Sequence, residues 1–239
     1  MKCRSDAIAR AFQPLPSLRR QGRFVNNRLA PAEREDRLIF TRRNLIQAGA
    51  AAGLVAAAKP VFATVAPHSP KIDEQLKLRA LLALHGKGSR VRYRDVIGIA
   101  DFDKASRDPR FYLLDVASGI ATEYHVTHGR GSDPAHSGWL QSFSNEIGSE
   151  ATSRGAYVTG DVYYGKYGRS LRLTGLDRTN YNADTRAIVV HAADYAEPHM
   201  IEAYGKLGRS EGCFALSQLS LQYVLLKLGP GRLLYADKV

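Results

Sequence analysis

From Val91 onward the chain alternates short apolar runs with polar turn clusters. The runs Val96 to Ile99, Phe111 to Val116, Glu123 to Val126, Ala156 to Thr159, Leu171 to Leu173 and Ala187 to His191 are three to six residues long, the length of ordinary strands. Between them stand Arg107-Asp108-Pro109, Ala117-Ser118-Gly119, the segment His128 to Pro134 and the segment Asp177 to Asn182, which read as hairpin turns and surface loops. The turn Asp115 to Gly119 predicts a hairpin between Phe111 to Leu114 and Ile120 to Tyr124. A different period flanks this region. Ile72, Leu76, Ala80, Ala83 and Leu84 recur at helical intervals before Gly86 and Gly88, predicting an opening helix. Leu219 to Leu228 predicts a second helix, stopped by Gly229-Pro230-Gly231, with Arg232 to Tyr235 as a last strand. No repeat is visible, and the predicted class is mainly β, a sandwich or partly closed barrel with a helix near each end.

The first 63 residues have another texture. Arg42-Arg43 is followed by residues 44 to 58, fifteen positions without a charge and built largely from Ala and Gly. That run falls short of the roughly 20 apolar residues a spanning helix requires, and Gly49, Gly53 and Pro60 weaken it as a helix of the fold. Val61-Phe62-Ala63 supplies small side chains where a signal peptidase reads, predicting cleavage after Ala63, with Ala66 as second choice. The paired arginines, Leu45, the weakly apolar run and Lys59 resemble a twin-arginine (Tat) export signal. The resemblance implies a periplasmic protein, a transient membrane contact through the signal, and a folded part over residues 64 to 239. The 40 residues before Thr41 are rich in Arg and Pro and longer than such a signal requires, as a start annotated too far upstream would leave them.

Charge changes little in this picture once it is located. The formal net charge is +11, yet residues 1 to 63 hold 12 Lys and Arg against 4 Asp and Glu, leaving 22 against 19 for the rest. A nucleic-acid binder concentrates its cations on the folded surface, so no nucleic-acid partner is expected. The 44% hydrophobic and 24% charged composition excludes a wholly disordered or multi-pass membrane chain.

Cys3 lies in the leader, so export leaves Cys213 as the sole thiol, and no disulfide can form within the exported part. A lone thiol in an oxidising compartment is either buried and inert or kept for its chemistry. Its surroundings favour chemistry: Val189-Val190-His191 ends an apolar run, and Gly208-Arg209-Ser210-Glu211-Gly212-Cys213 follows, with His191 and Cys213 22 residues apart. A thiol with a pKa of about 8.5 needs a base or a positive charge to supply thiolate, and a histidine is such a base. Gly212 clears room for a substrate carbonyl, and the amides of Gly212 and Cys213 are placed to meet a developing oxyanion. A buried His on a strand beside a buried Cys in a turn remains the bland alternative. His125 and His128, three apart on a strand, point to opposite faces and do not suggest a metal site. His136 and Trp139 could line a groove or close a loop, and Tyr157, Tyr163, Tyr164 and Tyr167 could wall a cleft or pack a sheet.

The segments His191 to Tyr195 and Tyr204 to Leu216 resemble the signature of the murein L,D-transpeptidase catalytic domain (YkuD-type), whose motif runs Gly-Arg-Ser-x-Gly-Cys-Pro-Ala. Ile99 to Asp103, Phe143 to Ser149, Ser153 to Tyr157 and Gly168 to Leu176 are similar in the same order, extending the resemblance over about residues 73 to 238. It implies a β-rich L,D-transpeptidase fold and a peptidoglycan stem tetrapeptide as donor. His191 would activate Cys213, D-alanine would leave, and a second stem peptide would complete a 3-3 cross-link. It also implies side-chain chemistry without a metal or other cofactor and admits carbapenem-type inhibitors as partners; the chain is expected to be a monomer. Ser210 would order the histidine or substrate; Arg209 would steady the loop or a substrate carboxylate, or be only a solvated charge. Two departures stand out. Ala215 occupies a position that is Arg in the wider superfamily, and Phe214 replaces the Pro of the nearer branch. They leave open an L,D-carboxypeptidase that trims tetrapeptides, and a non-catalytic wall-binding module is the reading from another class. Papain-like wall hydrolases place Cys before His, the reverse of the order here.

Overall fold

The structure, a computed structural model, describes residues 69–239. The Arg42-Arg43 pair, the run 44–58 and both predicted cleavage sites lie outside the described residues. Eight strands form one sheet: β1 (Val96–Asp101), β2 (Phe111–Asp115), β3 (Ala121–Tyr124), β4 (Gly155–Gly165), β5 (Gly168–Gly175), β6 (Val189–Ala192), β7 (Phe214–Leu216) and β8 (Leu233–Asp237), ordered β3-β2-β1-β8-β4-β5-β6-β7. The β1–β8 and β6–β7 pairs are parallel and the other pairs antiparallel. The mainly β reading holds, with three α-helices among the described residues: α1 (Glu74–Gly86), α2 (Pro198–Tyr204) and α3 (Gln218–Leu228). The sheet does not close into a barrel, since β3 and β7 are its edges. Among the described residues no helix is long and apolar enough to cross a membrane.

The period-two alternation of strands builds a core on each face. Ile97, Ile99, Tyr112, Leu114, Leu233 and Tyr235 point to one side, where Leu76, Ala80 and Leu84 of α1 meet them. Ala100, Phe111, Leu113, Leu234 and Ala236 point to the other, against Leu221, Val224, Leu225 and Leu228 of α3. Central strands covered on both faces read as unbroken apolar runs, as β1 and β8 do. The Asp73 carboxylate caps α1 by accepting from the Gln75 and Leu76 amides, and the Ser217 hydroxyl caps α3 by accepting from Ser220 N–H. Such caps satisfy amides that a helix leaves unpaired.

The predicted hairpin is present as β2–β3, turning at Asp115 to Gly119. The strand read at Glu123 to Val126 starts two residues earlier, at Ala121, because pairing with β2 sets its ends. The run Ala156 to Thr159 is the first part of a longer strand that continues past a bulge between Thr159 and Val162. Two elements fall outside the sequence reading: α2, opened by Pro198 and ended by Gly205 at φ 70°, and the three-residue β7.

Candidate active site

His191 sits in β6 between two partners, paired with Ser170 of β5 and Ala215 of β7. The parallel β6–β7 register places Val190 against Phe214, so Cys213, one residue earlier, enters the sheet beside Val189. A separation of 22 residues thus becomes adjacency on neighbouring strands. Cys213 and His191 line one cavity of about 220 Å³, together with Tyr167, Tyr195, Arg186 and Arg209.

The two groups rest as a neutral pair. A carbonyl only accepts, so the 2.8 Å contact between His191 Nδ1 and Ala192 O places the proton on Nδ1 and leaves Nε2 as the basic nitrogen. Burial lowers the His191 pKa, partly offset by that bond. Burial pushes the Cys213 thiol up, Glu211 adds to this, and the Val189 N–H and the Arg186 charge oppose it. The thiol donates to Ala187 O at 3.6 Å. Ala187 itself holds φ 51°, a left-handed conformation uncommon outside glycine. The segment Arg186 to Val189 therefore surrounds the sulfur with an acceptor, a donor and a positive charge. Tyr167, at the β4–β5 turn, stacks on the His191 ring with centroids 4.4 Å apart and planes at 22°. Tyr195 faces the same cavity, its phenol pushed up by burial and by the neighbouring thiol.

The Gly208 to Cys213 loop is held by its backbone. Ser210 N–H donates to His128 O at 2.9 Å and Arg130 N–H to Ser210 O at 2.8 Å. The Ser210 hydroxyl donates to Cys213 O at 2.7 Å and accepts from Gly212 N–H at 3.2 Å. Ser210 thus closes the loop on itself, and the Cys213 amide becomes the leading candidate oxyanion donor. Gly212 holds φ 110°, and a Cβ there would lie 2.8 Å from Ala151 O, so only glycine fits. The Arg209 guanidinium donates to the Asp133 and Pro134 carbonyls, which supports its loop-steadying role.

Behind the loop lies a buried polar chain. Arg110, fully buried, donates to His128 Nδ1 at 2.8 Å, and His128 Nε2–H then donates to Asp133 Oδ2 at 3.3 Å. Burial and the Arg110 charge push the His128 pKa down to about 3. Burial works to raise the Asp133 pKa, but the Ser137 and Gly138 amides, the Ser137 hydroxyl and His128 together hold it below the carboxylate range. Asp133 thereby pins the loop whose carbonyls hold Arg209.

The structure brings together Cys213, His191, Ser210 and Arg209 around the cavity, with Gly212 in the same loop. Ala215 is fully buried, and the guanidinium that acts on the thiol comes from Arg186, which the sequence reading missed because no motif marks a lone Arg before a strand. Of the tyrosines, Tyr167 lines the cavity while Tyr157 is buried in the core. His136 donates to Leu207 O at 3.0 Å, closing a loop, and His125 contacts Arg107 O.

Comparison with known proteins follows the same line. Residues 69–236 match the family described as L,D-transpeptidase catalytic domain. No curated protein matches the chain. Similar solved structures include an L,D-transpeptidase from Mycobacterium smegmatis, at 15% identity over 60% of this chain and 58% of that one, with TM-score 0.37. The helical cell shape determining protein Pgp2 from Campylobacter jejuni is 15% identical over 67% of this chain and 56% of its own, with TM-score 0.37. L,D-transpeptidase 3 from Mycobacterium tuberculosis, in complex with a faropenem-derived adduct, is 16% identical over 60% of each chain, with TM-score 0.34. The chain spans less than two thirds of the length of these structures. Matched over most of its length, with a thiol and an imidazole on one cavity wall, the chain belongs to the L,D-transpeptidase catalytic-domain family.

Proposed function

We propose that this chain is an exported cysteine L,D-transpeptidase acting on peptidoglycan stem peptides. The observation that carries the reading is the shared cavity of Cys213 and His191, with Nε2 unprotonated by virtue of the bond at Nδ1. In the first step the Cys213 proton passes to His191 Nε2 as the sulfur attacks the meso-diaminopimelate carbonyl of a tetrapeptide. The Cys213 amide donates to the developing oxyanion. The C–N bond then breaks, D-alanine leaves with the proton from His191, and a thioester remains on Cys213. In the second step His191 takes a proton from the amine of another stem peptide, which attacks the thioester. A 3-3 amide forms, and the sulfur leaves to recover its proton.

Two stem peptides must reach the thiol in turn. A second cavity of about 230 Å³ shares Arg186 and Glu211 with the first, which supports entry of an acceptor from that side. Acylation of Cys213 by carbapenem-type inhibitors belongs to this proposal. Export through the Tat pathway to the periplasm is part of the same proposal. Lysines in place of Arg42 and Arg43 should strand full-length precursor inside the cell, and normal export would refute that part.

The deciding experiment incubates the full-length chain with tetrapeptide stems and weighs the products by mass spectrometry. A dimer lighter than two tetrapeptides by one D-alanine molecule establishes transpeptidation. Tripeptide alone assigns the chain to the carboxypeptidases, and unchanged tetrapeptide moves it to a wall-binding role.

A further inference from the structure

Three guanidinium groups line the Cys213 cavity, and they are not equivalent. Arg130 is neutralised, its Nε donating to Glu150 at 2.6 Å and its Nη2 lying 3.4 Å from Glu211. Glu211 is the one carboxylate among the described residues of the cavity wall. Arg209 stands at the loop, with Nη1 held by two backbone carbonyls. Arg186 is half-buried and donates Nη1 to Ser144 O at 2.8 Å and Ser153 Oγ at 2.7 Å, and Nη2 to Ala151 O. All three acceptors are neutral, and among the described residues no carboxylate lies within 4.0 Å of Arg186.

A cation drawn out of water with only neutral partners lacks the attraction that offsets its desolvation. Its three bonds fix the guanidinium plane, the arrangement that suits a carboxylate. The Cys213 thiol is no direct partner, since its proton is directed to Ala187 O. Arg186 lines both the Cys213 cavity and the adjoining one, so any peptide passing between them meets its charge.

We propose that Arg186 forms a carboxylate subsite, receiving a free carboxylate of the acyl donor beside the carbonyl that Cys213 attacks. This rests on Cys213 being the nucleophile of the proposed reaction. Arg186 is then a substrate-binding group whose counter-ion arrives with the substrate.

Two small alkylating reagents separate this role from an effect on the thiol alone. Iodoacetate carries a carboxylate and iodoacetamide does not, while both transfer a two-carbon unit to the sulfur. On the full-length chain, with Cys213 followed through the mass of its peptide, the iodoacetate to iodoacetamide rate ratio, normalised to glutathione, should be raised about fivefold, the upper end for a partly exposed charge pair. Arg186→Gln should remove the preference, and Arg186→Lys should retain part of it. An Arg186→Gln variant that slows both reagents equally would overturn the subsite and leave Arg186 acting on the thiol only. The unaltered protein gives an independent reading should that variant not fold: N-acetyl-D-alanine should slow iodoacetamide at Cys213 and N-acetyl-D-alaninamide should not. Equal protection by both, or by neither, would also overturn it. If the anion preference follows Arg186 but stem tetrapeptides stay unchanged, the transpeptidase reading fails and the subsite stands.

Discussion

Cys213 and His191 line one cavity as a neutral thiol and a neutral imidazole, and their pH behaviour follows. Because burial lowers the His191 pKa, the imidazole stays unprotonated at pH values below about 6.5, where a free histidine becomes charged. The acid limb of kcat/KM should therefore fall below that value, with rate lost as pH drops through it. Burial raises the Cys213 pKa, so iodoacetamide should modify Cys213 more slowly than a free thiol at neutral pH and faster as pH rises. An alkylation rate already flat at pH 7 would contradict the neutral pair. Cys213→Ser should abolish turnover, and His191→Ala should cost about 10²- to 10⁴-fold, the range of general-base catalysis, with circular dichroism unchanged in both. Turnover in Cys213→Ser, or parental-level turnover in His191→Ala, would refute the assignment.

The elements around this pair act through backbone contact. Gly129 precedes the Arg130 to Ser132 turn and forms a parallel bridge with Ser210. A Cβ at Gly129 would lie 2.2 Å from Glu150 O and 2.8 Å from Gly212 N, so backbone on both sides would have to move. Gly129→Ala should destabilise the fold by about 1–3 kcal/mol and depress activity further by displacing Gly212 and Cys213, measured as urea midpoint and turnover together. Unchanged turnover would show that the loop tolerates the shift. The β4–β5 hairpin contributes by stacking Tyr167 on His191. Aromatic stacking contributes about 0.5–1.5 kcal/mol, so Tyr167→Ala should slow product formation several-fold while Tyr167→Phe stays near the parent. A Phe variant as slow as Ala would assign the effect to the hydroxyl instead.

The folded chain as a whole carries a pH dependence that belongs to its buried polar chain. His128 titrates at about 3 in the fold and near 6.5 when unfolded. Between those values the unfolded chain binds the extra proton, so stability falls as pH falls, by up to about 1.4 kcal/mol per pH unit from this one group. The lowered His191 pKa adds a slope of the same sign. Urea midpoints should decline from pH 7 to pH 4.5, with a shallower decline in His128→Gln; an identical slope in that variant would clear His128 of the effect. Arg110, pulled down to about 9 by burial, remains charged throughout that window and keeps opposing His128 protonation.

Much of this molecule is legible before folding is considered. Short apolar runs at 96–99 and 111–116 become β1 and β2 because their side chains enter two cores alternately, and the 3.6 period of 72–84 becomes α1 for the same reason of burial. Cys213 and His191 are legible in part as a glycine-flanked thiol after an apolar His-bearing run, and more sharply through the resemblance of the surrounding segments to the L,D-transpeptidase signature. β7 is too short for periodicity to reveal, and it forms only because Phe214 to Leu216 find the open edge of β6. Arg186 carries no local signal at all. Its place beside the thiol depends on Ser144, Ala151 and Ser153, 33 to 42 residues away in sequence. Local sequence singled out Cys213 and His191 as candidate nucleophile and base; long-range packing alone chose the charge that faces them, because a guanidinium is positioned by whichever carbonyls the fold brings within its reach.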